Sequence, residues 1–327
     1  MSMRISGNIT HGVQAAAAAR RRLYKLLGPL PDRKRPIQVR AREVIERGDL
    51  RIEKLRLNLN GEEDVPAYFV TPRGARGPFP AILFNHSHGG RYHVGKEELF
   101  RSSPYMVRTP YGSALARRGY AVLCIDHWVF GERHGEIEHT VVKRRLLEGR
   151  VLWGMMVYDS LRAIDYLASR PEVDARRIGT IGMSMGSTMA QWVGALDTRV
   201  RAVVDICCLG EYQALLDTGG VAGHGFYYFV PGILRHFSMA QINALIAPRA
   251  HLALVGERDP LTPRAGLDAI DRHLRAVYRA AGAARAWRLE RHPVGHRETP
   301  TMRARALAWL DSGLCGSPDR NRLISYL

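Results

Sequence analysis

The chain has 327 residues, 46% of them hydrophobic, and a formal charge of +17 from 48 Lys and Arg against 31 Asp and Glu. Only five of the basic residues are lysines, and the arginines are spread along the chain without an aromatic-interleaved basic module or zinc-finger spacing, which argues against a nucleic-acid partner and for a solvated arginine-rich surface. No run of 18 apolar residues occurs, which excludes an apolar membrane span; Cys124, Cys207, Cys208 and Cys315 fit a reducing, cytoplasmic setting and not a disulfide framework.

Residues 12–28 read as an alanine-rich helix ended by Gly28, Pro29 and Pro31, and 38–48 as a second short helix. The first stretch lacks acidic residues before Asp32, as presequences do, but a basic surface helix is the expectation. Ile52–Leu59 alternates apolar with polar, a turn follows at 60–64, and Val65–Val70 is again strand-like, predicting an antiparallel hairpin at a sheet edge.

From Phe79 a repeating pattern of short apolar strand, loop and helix sets in. Strands are expected at 81–84, 120–125, 177–182, 200–207, 252–255 and 286–289, and helices at about 94–118, 153–169, 187–196, 264–281 and 299–313. Such alternation predicts an α/β fold with a mostly parallel central sheet covered by helices on both faces. Residues 209–247 break the pattern with several glycines and the aromatics Phe226, Tyr227, Tyr228, Phe229 and Phe237. This cap-like insertion follows a strand end, where parallel sheets bind ligands, so pocket shaping competes evenly with plain packing. The expected division is a helical extension over 1–48, a catalytic domain over 49–316 containing the insertion, and a tail over 317–327.

Gly182, Ser184 and Gly186 form a G-x-S-x-G pattern between a β-branched strand and a helix. On such a sharp turn the serine hydroxyl is lifted clear of the sheet, side chains at either glycine would collide with backbone, and the Met185 amide is left free at a helix N-terminus to bind an oxyanion. A serine hydroxyl needs a base, and the base an orienting carboxylate. Asp259 follows the strand at 252–255, and His296 follows the last strand, in the order Ser, Asp, His. Glu257 and His292 are the rivals; Asp259 is freer to reach a histidine, and Gly295 supplies the sharp turn for a protruding His296. The loop Asn85–Gly90 stands where a second oxyanion donor belongs, from the amide of Ser87 or His88. His86, His88 and His93 match the spacing of no common metal site, and His292 and His296, four apart like a helical metal pair, are separated by Pro293 and Gly295, which argue against a helix, so no metal and no cofactor is expected.

These residues resemble the α/β-hydrolase superfamily and, more narrowly, its dienelactone hydrolase and acetyl xylan esterase-like branch. The blocks that carry the likeness are NHSHGG at 85–90, ALARRGYAVLCIDHWVFGER at 114–133, the stretch 159–187, APRAHLALVGERDPLTP at 247–263 and HPVGH at 292–296, together spanning about 50–314. The resemblance implies an α/β-hydrolase fold and hydrolysis of a small-molecule ester without a cofactor. Serine at 184, where true dienelactone hydrolases have cysteine, argues against that reaction, and Ser87 stands where the oxyanion loop often has glycine. A prolyl oligopeptidase-like peptidase or a thioesterase is the enzymatic alternative, and a non-catalytic hydrolase-like binding protein the alternative of another class.

Overall fold

The structure is a computed structural model and describes residues 2–315; the expected tail at 317–327 lies outside the described residues. Helix α1 (Ser2–Leu26) leads into a hairpin of β1 (Gln38–Arg47) and β2 (Leu50–Asn58), followed by β3 (Val65–Pro72). The second expected helix is therefore a strand. Its residues pair antiparallel with β2 through a two-residue turn at Gly48 and Asp49, with Gly48 at φ +59°. Gly-X is a favoured hairpin turn because its backbone twist matches that of the strands. Consequently the β2–β3 hairpin lies one strand in from the edge.

The alternating part contains β4 (Phe79–Asn85), α2 (Tyr111–Ala116), β5 (Ala121–Ile125), α3 (Glu138–Leu147), α4 (Leu152–Ser169), β6 (Val173–Met183) and α5 (Met185–Leu196). It continues through β7 (Val200–Ile206), α6 (Tyr212–Asp217), α7 (Met239–Ala244), β8 (Ala250–Gly256), α8 (Arg264–Ala280), β9 (Trp287–His292) and α9 (Pro300–Cys315). Strand order is β1-β2-β3-β5-β4-β6-β7-β8-β9, antiparallel from β1 to β5 and parallel from there on.

One face of the sheet buries Trp153, Met156 and Leu161 of α4, Trp192 of α5 and Leu267 and Leu274 of α8; the other buries Leu115 of α2 and Met302, Leu307 and Leu310 of α9. Burial on both faces is why the parallel strands read as continuous Val, Ile and Leu runs. The long helix expected over 94–118 is not formed. Gly95 takes φ +49°, a 3-10 turn spans Gly95–Leu99, a second turn through Pro104 is closed by the Met106 amide on the Ser103 carbonyl at 2.9 Å, and an extended Pro110 directly precedes the short α2. That irregular segment turns back across the carboxyl ends of the strands.

Candidate active site

Every expected site residue lies on a loop or helix start at the carboxyl end of a parallel strand. Ser184 sits between β6 and α5, Ser87 and His88 follow β4, Asp259 follows β8, and His296 follows β9. Ser184 is partly exposed and adopts φ +57°, ψ −121°, a conformation sparsely populated outside glycine. Neighbouring glycines permit it: a Cβ on Gly186 would lie 2.0 Å from the Asn85 carbonyl oxygen, and one on Gly182 2.3 Å from the backbone of Gly186. The Ser184 amide is held by the Ile206 carbonyl at 2.9 Å, which ties the turn to the end of β7.

His296 Nδ1 lies 2.7 Å from Asp259 Oδ2. The Asp259 side chain is fully buried while that of His296 is 21% exposed, so one edge of the imidazole faces the cleft and the other is anchored. The second Asp259 oxygen accepts the Leu261 amide at 3.0 Å, fixing the carboxylate plane. Glu257 makes no such contact; its amide donates to the His292 carbonyl at 2.8 Å. The glycine that allows the pairing is Gly256, where a Cβ would meet the Gly295 oxygen at 2.3 Å, so the loops after β8 and β9 touch there. The chain does turn sharply at His296, the Arg297 amide donating to the Gly295 carbonyl at 2.8 Å, though Gly295 itself has no positive φ.

The loop after β4 separates the two amides expected as oxyanion donors. Ser87 donates its amide to Glu98 Oε2 at 2.6 Å and stands 2.5 Å from Glu98 Oε1 through its hydroxyl. With that amide committed, Ser87 is corrected from a candidate donor to a residue that holds the loop. Among the described residues no acceptor takes the amides of His88 or Met185. His86 lies entirely inside, its ring 4.8 Å from that of His127, and burial lowers its pKa.

The Glu98 carboxylate is 1% exposed and also accepts the Ser103 hydroxyl, which in turn accepts Arg91 Nη2 at 2.9 Å. Tyr105 joins through its hydroxyl, 2.7 Å from Ser87 Oγ, and its ring stands 6.1 Å from the His296 ring. Burial pushes the Tyr105 phenol up to about 12. Glu298, bound to Arg303 and Tyr111, donates its amide to the Tyr105 carbonyl at 2.8 Å and so links the His296 loop to the same segment. From the insertion come Tyr227, 2.8 Å from His88 Nε2, and His224, stacked on Tyr228 at 5.0 Å. Two other residues that could have lined the cleft lie elsewhere: Trp128 is packed between Arg133 and Arg145, and Arg235 faces an outer cavity of about 650 Å³.

The acetyl xylan esterase (AXE1) family profile matches residues 43–222, and the YtaP protein of Bacillus subtilis (strain 168) is 49% identical over 298 residues, 91% of this chain and 99% of that protein. The chain belongs to the acetyl xylan esterase family. It is accordingly a carboxylic ester hydrolase of the α/β-hydrolase superfamily acting on a small-molecule ester. Among solved structures, the esterase shares its fold with a glucuronoyl esterase from Solibacter usitatus, at TM-score 0.66 and 16% identity over 90% of this chain and 92% of that one. The acetyl xylan esterase of Paenibacillus sp. R4 superposes at TM-score 0.61 and 19% identity, covering 92% and 93%. Among the described residues no helix of this esterase is long and apolar enough to cross a membrane.

Glu98, Tyr105, Tyr227 and Glu298 escaped the sequence reading. The first two fall in the segment assigned to a helix, where a buried glutamate gives no periodic signal. Tyr227 was one aromatic among five, and only its neighbour His88 distinguishes it.

Proposed function

We propose that Ser184 is the nucleophile of this esterase, His296 its general base and Asp259 the carboxylate that orients the imidazole. Ser184 Oγ attacks the ester carbonyl as its proton passes to His296 Nε2, while the Nδ1 proton is kept on the Asp259 side. The negative charge on the carbonyl oxygen is taken by the amides of Met185 and His88, fixed donors that need no reorganisation as charge develops. Collapse of the tetrahedral intermediate expels the alcohol, which takes the proton from His296. Water then gives a proton to His296 and attacks the acyl carbon, and Ser184 leaves with that proton as the acid is released.

The observation that carries this reading is the 2.7 Å His296–Asp259 contact with Asp259 buried and His296 open to the cleft. The family and the neighbour named acetyl xylan esterase favour a short acyl group, acetyl above all, on an alcohol of carbohydrate type. The same reading takes residues 49–316 as the catalytic domain with 209–247 as its cap. It places the enzyme in the cytoplasm, supported by buried, unpaired Cys124, Cys207 and Cys208.

Labelling with a fluorophosphonate tests the assignment. The native enzyme is expected to label and to hydrolyse p-nitrophenyl acetate, and Ser184→Ala and His296→Ala to do neither while keeping the native melting temperature. Undiminished hydrolysis by Ser184→Ala would rule out Ser184 as the nucleophile.

A further inference from the structure

His88 and Tyr227 belong to different parts of the chain, the loop after β4 and the insertion after β7, yet their side chains are joined at 2.8 Å. The direction of that bond follows from the other ring nitrogen. The Gly90 amide donates to His88 Nδ1 at 3.0 Å, so in the neutral ring the proton sits on Nε2 and is donated to the Tyr227 oxygen. The ring is neutral because burial, reinforced by His86 and His296, lowers its pKa to about 4. Tyr227 therefore keeps its own phenolic proton, for which no acceptor lies in reach among the described residues. Its ring is 4% exposed, wedged edge-on to Phe130 at 5.5 Å and stacked on Trp153 at 6.1 Å, so the ring is held where it stands. A confined donor without a partner is costly unless something else fills the role.

Tyr105 shows the contrast. Ser87 Oγ is 2.5 Å from the Glu98 carboxylate, so the serine proton goes to Glu98 and Tyr105 must donate to Ser87 Oγ. Its proton is taken. Tyr105 also packs on the His88–Gly90 turn, where a Cβ on Gly89 would fall 2.4 Å from its ring, and stands beside His296. The His88–Gly90 turn thus lies between Tyr227, bonded to His88, and Tyr105, which packs on Gly89 beside His296, and of the two phenols only Tyr227 has a proton not yet donated.

We infer that Tyr227 donates a hydrogen bond to an oxygen of the bound ester, and that His88 is the positioning residue that aims it. The inference rests on the assignment of Ser184, Asp259 and His296. Tyr227→Phe keeps the ring and removes the phenolic donor together with the acceptor of the His88 Nε2 proton; kcat/KM for p-nitrophenyl acetate is expected to fall about tenfold while the variant still melts in one cooperative transition. His88→Asn retains an acceptor for the Gly90 amide, as asparagine does in turns, but is too short for Tyr227, and is expected to lower kcat/KM in the same way. His88→Gln places an amide N–H where Nε2–H stands and is expected to restore most of the loss. The His88→Asn, Tyr227→Phe double variant is expected to be no worse than Tyr227→Phe alone, because both remove one interaction. Native kinetics in Tyr227→Phe, with Ser184→Ala inactive, would overturn this inference and leave the nucleophile standing. Additive losses in the double variant, or no recovery in His88→Gln, would overturn the role of His88. Hydrolysis that persists in Ser184→Ala would instead overturn the underlying site, and this inference with it.

Discussion

Ser184 holds φ +57° and ψ −121° with a side chain attached, and such a conformation costs about 1–3 kcal/mol. Ser184→Gly removes that cost but adds about 0.4–1 kcal/mol of unfolded-state entropy. The variant is therefore expected to be inactive yet more stable than Ser184→Ala by about 1 kcal/mol, read as a higher midpoint in urea; a midpoint below that of Ser184→Ala would count against the strain. Gly186 has the opposite sensitivity. An added methyl would lie 2.0 Å from the Asn85 oxygen, where only backbone could yield, so Gly186→Ala is expected to cost at least about 3 kcal/mol and to abolish labelling of Ser184. The turn was legible in the sequence because both glycines stand two residues from the serine, although the backbone that presses on Gly186 comes from Asn85 at the end of β4. The oxyanion loop was less so: what separates Ser87 from His88 is the Glu98 carboxylate eleven residues on, and no local pattern announces it.

At the scale of elements, the outermost strand shows how charge can stand in for packing. β1 is exposed along nearly its whole length, and its Arg42 reaches the Glu53 carboxylate of β2, which also receives Arg51 and Arg170. Burial alone would raise the Glu53 pKa, but the three guanidinium groups outweigh it and hold the carboxyl at about 2, against 4.5 when unpaired. Because the folded pKa is the lower one, the unfolded chain binds more protons between these values. The stabilisation, at most about 3 kcal/mol, is complete above about pH 4.5 and lost as pH falls toward 2. Glu53→Gln is expected to lower the urea midpoint near pH 7, with the gap to the native protein closing toward pH 2; a gap independent of pH would show that packing, not ionisation, holds the strand. The same exposure explains why 38–48 reads as a helix in sequence. A strand bared on both faces shows no period-two signal, and the turn at Gly48 and Asp49 was the cue that remained. The stretch over 94–118 misled for another reason, since Leu99, Phe100 and Met106 pack on the core from irregular backbone and only Tyr111–Ala116 does so from a helix.

On the scale of the whole molecule, the alternation of strands and helices disclosed the parallel sheet, since each strand is buried by its own neighbours in sequence. Docking of the N-terminal segment could not be read that way. Periodicity predicts α1 but not its seat. In the structure Leu23 and Leu27 are fully buried in the core shared with α4 and α5, and the Leu27 carbonyl packs so closely on α4 that a Cβ at Gly154 would lie 2.0 Å away. Arg20 donates to the Ala195 carbonyl at 3.0 Å and the Leu245 carbonyl at 2.7 Å, and Arg33 bridges Asp165 and Asp197. These arginines act as internal ties of the N-terminal segment to the rest of the fold. Deleting residues 1–47 removes two buried leucines and the edge strand and leaves Asp165 and Asp197 short of a cation. The truncated chain is expected to lose at least about 4 kcal/mol and to aggregate, from the loss of the two leucines alone at about 2–5 kcal/mol each. A binding appendage predicts the reverse: the truncated protein would melt and hydrolyse esters as the full chain does, and only a salt-dependent interaction with an acidic surface would disappear. Melting temperature and ester hydrolysis of the deletion, measured side by side, separate the two, because a segment built into the core cannot be removed with both left intact.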